Sequence, residues 1–219
     1  MAPRATYASV SARPRALGAL LLVLAIAATA TLVFLKTEVG QQAVLDQQVQ
    51  QARAFGRDMS AAQQAQMERF LPYLGYIGAA SQIVTITVMS LLIAGLALAV
   101  FNAVLGGDAT FKHVFAIVVH SGFIITLQQL FTLPLDYARE SLSSPTTLVV
   151  FLPFLEDNTF AARLLGSIDL FIIWWAVSLA IGLGVLYKRR TGPIATGILT
   201  VYFVLVLAIA AVRTALAGA

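Results

Sequence analysis

No cysteine occurs among the 219 residues of this chain. Disulfides, thiolate metal sites and cysteine nucleophiles are therefore excluded. Charge is scarce as well. Only 11% of residues are Asp, Glu, Lys or Arg, less than half the share found in a typical soluble domain. No basic run is interleaved with aromatics in the way a nucleic-acid surface requires, so nucleic-acid binding is not indicated. The sequence also lacks a P-loop, G-x-S-x-G, H-E-x-x-H and G-x-G-x-x-G. No carboxylate pair shares one helix face within an apolar run. Ser121 adjoins His120, but adjacent helical positions diverge and cannot form a nucleophile–base pair. A catalytic role is not expected.

What the chain does have is apolar length. Hydrophobic residues make up 59% of it, and the mean hydropathy is +0.87. Five runs stand out, at 17–35, 75–105, 112–133, 167–187 and 194–216. Each reaches the ~20 residues that a helix needs to cross a hydrocarbon core of about 30 Å. Gly106-Gly107-Asp108 ends the second run, Pro134 the third and Lys188-Arg189-Arg190 the fourth, while Pro193 suits the first turn of the fifth. The first run competes with a cleaved leader, because Ala28-Thr29-Ala30 resembles a cleavage box. It continues through Leu35, past a typical leader core, so a retained anchor is expected.

The arginines and lysines fix an orientation. Arg4, Arg13 and Arg15 precede the first run with no acid among them, and Lys188, Arg189 and Arg190 stand together without one. In the loop 36–74, Lys36, Arg53, Arg57 and Arg69 are balanced by Glu38, Asp46, Asp58 and Glu68. In the loop 134–166, Arg139 and Arg163 face Asp136, Glu140, Glu156 and Asp157. The positive-inside rule then places the N-terminal tail 1–16 in the cytoplasm and the C-terminus outside. The expected fold is an all-α integral membrane protein, a five-transmembrane-helix bundle forming a single domain over 1–219.

Both loops assigned to the outside carry structure. Leu45, Val49, Ala52, Phe55, Met59 and Ala62 recur at helical spacing in a glutamine-rich stretch. Ser60 and Gln63 form a capping-box pattern that restarts the helix. The spacing suits a helical hairpin, either resting on the membrane face or binding a partner. Residues 148–155 are apolar apart from Pro153 and too short to span. They read as an interfacial or re-entrant segment. Asp157-Asn158-Thr159 offers capping groups for a helix leading into the fourth run.

Polar residues inside apolar runs are the functional-site candidates. Asp169 lies near the outer end of the fourth run, Gln128 and Gln129 near the outer end of the third. A bond from Asp169 to either glutamine would tie two helices together. The same groups could instead accept a proton or cation. His113 and His120 are seven residues apart, hence ~10 Å along one face and too distant to share an ion unaided. His120 fits either a packing histidine or a proton relay. Trp174 and Trp175 sit within the fourth run, about 100° apart, so at least one is expected to pack between helices. Ser178/Gly182 and Gly95/Ala99 are small-xxx-small spacings that allow close helix contact.

Three segments together carry a family resemblance. They are Met59-Ser60-Ala-Ala-Gln-Gln64, Gly107-Asp-Ala-Thr-Phe-Lys112, and Leu165-Gly-Ser-Ile-Asp-Leu-Phe-Ile-Ile-Trp174 with Ala180-Ile-Gly-Leu183. With them, the chain resembles bacterial members of the Yip1 domain family from about Leu17 to its end. The resemblance implies a compact five-helix membrane bundle without a known cofactor. Eukaryotic members act as adaptors in vesicle traffic and contact Rab-type GTPases. They carry a long cytosolic N-terminal region and an Asp-Leu-Tyr-Gly-Pro motif. Here only sixteen residues precede the first run and that motif is missing, so GTPase binding does not carry over.

Two functions remain in view. One is a non-enzymatic adaptor or organiser of other membrane proteins, placed in a bacterial inner membrane, whose partners are lipid, membrane proteins or further copies of itself. The alternative is a transporter of a small molecule, ion or lipid using Asp169, Gln128, Gln129, His120 and Trp174.

Overall fold

A computed structural model describes residues 3–54, 60–142, 144–155 and 159–217. Among these residues every regular element is helical. The two N-terminal helices differ sharply in character. α1 (Pro3–Ala12) is polar, and α2 (Ala16–Leu35) is almost wholly apolar. α3 (Glu38–Ala54) and α4 (Ala61–Phe70) follow, then α5 (Leu74–Leu98), which is prolonged by a π-helical turn over Ala99–Val104. α6 (Phe111–Ser121) and α7 (Phe123–Arg139) are separated only by Gly122. A 3₁₀ turn (Leu148–Phe151), α8 (Phe160–Gly166), α9 (Leu170–Leu186) and α10 (Thr191–Ala217) complete the order.

Four helical stretches are long and apolar enough to cross a membrane: Ala16–Leu35, Ala61–Val104, Phe111–Arg139 and Thr191–Val212. α9 is equally apolar but only 17 residues long, about 25 Å at 1.5 Å per residue. The segment expected as an N-terminal tail is largely a helix. Pro3 suits a first-turn position, and Tyr7 and Val10, three apart, form its buried stripe. Pro134 does not close the third run as expected. It lies inside α7, which continues to Arg139. A proline removes a single backbone donor, and a membrane helix tolerates that loss when its surroundings compensate.

Contact density divides the chain into two units. The first comprises Met1–Ala27, Ser81–Gln128 and Phe171–Val201; the second comprises Ala28–Ala80, Gln129–Leu170 and Tyr202–Ala219. Charge divides with them. The first unit holds seven basic residues against Asp108 alone, a formal +6, which leaves −2 of the chain's +4 to the second.

The first unit has a dry core of Tyr7, Val10, Ala16, Ala94, Phe101, Val114, Ile117, Leu179 and Leu183, with Trp175 packed against it. α1 belongs to this core. Tyr7 is 5% exposed, and its hydroxyl lies 2.7 Å from Ser178 Oγ. The tyrosine ring fits because Gly182 has no side chain: a Cβ there would stand 3.0 Å from ring carbons and 2.5 Å from Ile117 Cγ2. The Ser178/Gly182 spacing thus serves to seat α1 and Ile117. At the end of α5, the Leu105 amide donates to the Val100 carbonyl at 3.1 Å, the five-residue step of a π turn. The turn presents Phe101, stacked on Tyr187 at 4.6 Å, and Asn102, which accepts from the Tyr187 hydroxyl at 2.9 Å. α9 stops in a Schellman motif. The Arg189 and Lys188 amides donate to Gly184 and Val185, with Lys188 at φ 52°.

In the second unit, the chain kinks between α2 and α3. The Thr37 hydroxyl donates to Phe34 O at 2.6 Å and accepts from Gly40 N at 3.0 Å. A Cβ on Gly40 would collide with the Phe34 carbonyl, so α3 folds back on the last turn of α2 rather than prolonging it. Along α3, Ala43 is buried and Leu45, Val49 and Ala52 are half-buried, while Gln42, Gln47, Gln48, Gln50 and Gln51 are exposed. The expected apolar stripe is therefore the covered face of α3. Ala62, assigned to the same stripe, is exposed, and Phe55 and Met59 lie outside the described residues. The capping box at Ser60 is formed: Gln63 N donates to the Ser60 hydroxyl at 3.3 Å, and Ser60 N donates to Gln63 Oε1 at 2.9 Å. Thr159 caps α8, accepting from Ala162 N at 3.2 Å, whereas Asp157 and Asn158 lie outside the described residues.

Candidate functional site

Asp169 immediately precedes α9 and belongs to the second unit. After α7 ends, residues 144–148 come alongside 168–170. Leu148 N donates to Ile168 O at 2.9 Å and Leu170 N to Thr146 O at 3.1 Å. This makes an isolated antiparallel bridge between Thr147 and Asp169. Thr146 and Thr147 are β-branched, a type that suits extended backbone.

The bridge buries the Asp169 carboxylate, leaving the residue 5% exposed. Burial of a carboxylate is costly unless its lone pairs are filled. Thr146 Oγ1 donates to Asp169 Oδ2 at 2.6 Å and Ser144 Oγ to the same oxygen at 3.2 Å. The Asp169 amide donates to the Tyr202 hydroxyl at 2.9 Å, and that hydroxyl donates on to Ser167 O at 3.0 Å. Asp169 is thus the centre of a network linking the loop after α7, the start of α9 and α10.

The other candidates occupy different settings. Gln129 also lies in the second unit, and its amide donates to Thr31 Oγ1 at 3.0 Å, tying α7 to α2. Gln128, His120 and Trp174 fall in the first unit. Gln128 is half-buried. The His120 ring places Nδ1 at 2.7 Å from the Ala116 carbonyl one turn back, so that nitrogen carries the proton and donates. Phe123 meets the same ring edge-on, at a centroid distance of 6.1 Å. His113 Nδ1 lies 2.7 Å from the Thr110 hydroxyl. Trp174 is 50% exposed and tilted against Phe171, while Trp175 is the tryptophan that packs on the core. Among the described residues, no group of three or more His, Asp or Glu side chains converges in a way that could hold a metal ion.

Sequence reasoning overlooked Ser144, Thr146 and Tyr202 around Asp169, and Tyr7 in the first unit. Only Tyr7 had a usable signal, its three-residue spacing from Val10. Burial pushes the Tyr7 phenol above the usual tyrosine range, and its bond to Ser178 offsets part of that rise.

A family model for the Yip1 domain matches residues 1–212. This chain belongs to the Yip1 domain family. No curated protein and no solved structure matches it. The family is not a known enzyme family, and this member is a membrane protein with several apolar helices. Within this Yip1 domain, the run Asp169-x-Phe171-x-x-Trp174 combines the buried bridge aspartate with an aromatic pair at the start of α9.

Proposed function

We propose that this Yip1 domain is a non-enzymatic adaptor of a bacterial inner membrane that organises other membrane proteins through its α3–α4 hairpin. It crosses the bilayer five times, by α2, α5, the α6–α7 pair, α9 and α10. The N-terminus lies in the cytoplasm and the C-terminus outside. The +6 carried by the first unit supports that orientation, because cytoplasmic loops concentrate lysine and arginine.

The observation that carries the adaptor reading is the exposed face of α3. Five glutamines and Asp46 line it, while its apolar positions are covered. Amide side chains both donate and accept, so such a face can pair with a polar partner surface without a charge requirement. The experiment is extraction into lipid nanodiscs without detergent, followed by mass spectrometry of the proteins and lipids retained. Stoichiometric partners that vanish when 41–70 is deleted are expected. Complexes that survive the deletion unchanged exclude the hairpin as the binding element.

Transport is the second reading, and it is favoured by one observation, the carboxylate of Asp169 enclosed by hydroxyl groups. Under that reading Asp169→Asn abolishes a pH-dependent flux in proteoliposomes while the fold persists. A variant that only loses thermal stability assigns Asp169 to structure.

A further inference from the structure

We propose that residues 147–155 form an aromatic wedge seated in the interfacial layer of the bilayer, and that Asp169 is the positioning residue holding it there. The occupant of this surface is lipid, in the leaflet at the N-terminal end of α9.

The segment 144–155 reads Ser-Pro-Thr-Thr-Leu-Val-Val-Phe-Leu-Pro-Phe-Leu and carries no charge (residue 143, just before it, is not described). Phe151 is 64% exposed and Phe154 78%, with Val150 exposed beside them. Large apolar groups displayed so fully on an uncharged segment are costly in water. Four of its backbone amides have backbone partners. Val150 N donates to Thr147 O, Leu152 N to Val149 O at 2.9 Å and Leu155 N to Leu152 O at 3.1 Å, while Leu148 N is taken by Ile168 O. Each paired amide lowers the cost of entering a layer poor in water.

Continuity sets the depth. The bridge joins the loop to residues 168–170, and Leu170 is both exposed and the first residue of the apolar helix α9. The wedge therefore begins where a membrane-embedded helix begins. Exposed Phe160 on α8 and Tyr137 on α7 belong to the same unit, and aromatic side chains prefer the interfacial depth. Two hydroxyl donors and the buried carboxylate lock the root of the loop. Residues that must sit at one depth need such a fixed base.

The missing cysteines make the test direct. Phe154→Cys in the full chain gives a single site for a nitroxide label in nanodiscs of phosphatidylethanolamine and phosphatidylglycerol. Its collision rates with oxygen, which concentrates in lipid, and with a water-soluble nickel chelate report depth. The expected oxygen-to-nickel ratio is several-fold above that of a label at Gln48, on the polar face of α3. It approaches that of a label at Val204, exposed on α10. Adding Thr146→Val or Ser144→Ala should lower the Phe154 ratio toward the Gln48 value while leaving the Val204 ratio unchanged. Asp169→Asn should do the same where it folds. A Phe154 label dominated by nickel collisions overturns the proposal in favour of a loop standing in water. A label shielded from both agents overturns it in favour of a protein partner or second copy. A lipid-like ratio that ignores the Thr146 and Ser144 changes removes the positioning role of Asp169.

Discussion

The contact between Tyr7 and Ser178 offers a double-mutant cycle whose outcome follows from the geometry. The phenol and hydroxyl are 2.7 Å apart, Tyr7 is buried and Ser178 half-buried. Tyr7→Phe removes one partner and leaves the Ser178 hydroxyl poorly solvated, a loss of about 1 kcal/mol at such a site. Ser178→Ala leaves the more deeply buried phenol unpaired and should cost about 1–2 kcal/mol by the same reasoning. The double variant strands neither group, so it should cost less than the sum, with a coupling of about 0.5–1.5 kcal/mol. Tyr7→Ala is different in kind. It empties the space over Gly182 and should cost about 3–5 kcal/mol, as large aromatic truncations do. Reversible unfolding in mixed micelles measures all four variants. Trypsin adds a local readout, because cleavage after Arg15 should accelerate once α1 leaves its seat, while the Arg13–Pro14 bond resists. Strict additivity of the two conservative changes would refute the bond. Stability of Tyr7→Ala equal to the parent would refute the docking of α1 altogether.

Three further outcomes test the same core and the end of α7. Gly182→Ala gains about 1 kcal/mol of helix propensity but drives a Cβ to 2.5 Å from Ile117 Cγ2, an overpacking cost of about 1–3 kcal/mol. It should lower the melting temperature, whereas Gly95→Ala, with nothing within 4 Å, should not. Because burial makes the folded state hold the Tyr7 proton more tightly than the unfolded chain does, the stability that depends on the neutral, buried phenol is complete below the ordinary tyrosine pKa of about 10. It is lost as pH rises through the folded value. Alkaline unfolding curves should show this slope in the parent and a shallower one in Tyr7→Phe. Glu140 sits at φ 51° closing α7, its amide donating to Tyr137 O and the Ser141 amide to Asp136 O. Glu140→Gly relieves a left-handed cost of about 1–2 kcal/mol against a gain in unfolded-state entropy worth about 0.4–1 kcal/mol. The variant should therefore melt no lower than the parent, and a clear drop would assign Glu140 a side-chain contact instead.

What the sequence discloses and what it hides divide along physical lines. Apolar length marks α2, α5, the α6–α7 pair and α10, because spanning a bilayer is a one-dimensional requirement. The Ser60 cap is local too, settled within three residues. Asp169 is the opposite case. Its carboxylate accepts from Ser144 and Thr146, twenty-five and twenty-three residues earlier, hydroxyls that the pattern of neighbouring spans does not suggest. Nothing periodic marks those hydroxyls, since they act from an irregular loop. The π turn at Ala99–Val104 was equally invisible, because a bulged helix keeps an apolar composition. The seat of Tyr7 on Gly182 joins residues 175 positions apart, and no local pattern encodes which small residue accepts which ring.

Placement of charge connects these details to what the protein can do. Every basic residue of the first unit is exposed, with Asp108 the sole acid beside them, and Tyr7, His120 and Tyr187 are hydrogen-bonded within it, while the Ser11 and Thr191 hydroxyls are buried without a partner among the described residues. The second unit combines an exposed glutamine face, a buried carboxylate network and several exposed aromatics, among them Tyr73, Tyr76, Tyr137, Phe151 and Phe154. Its options for contact are therefore richer, with polar partners at α3 and lipid at the wedge. If the two surfaces serve separate ends, deletion of 41–70 should remove protein partners and leave the Phe154 label at its lipid depth. Loss of the wedge depth on that deletion would mean that the hairpin and the loop fold as one cooperative surface, and the adaptor face would then have to include the membrane beneath it.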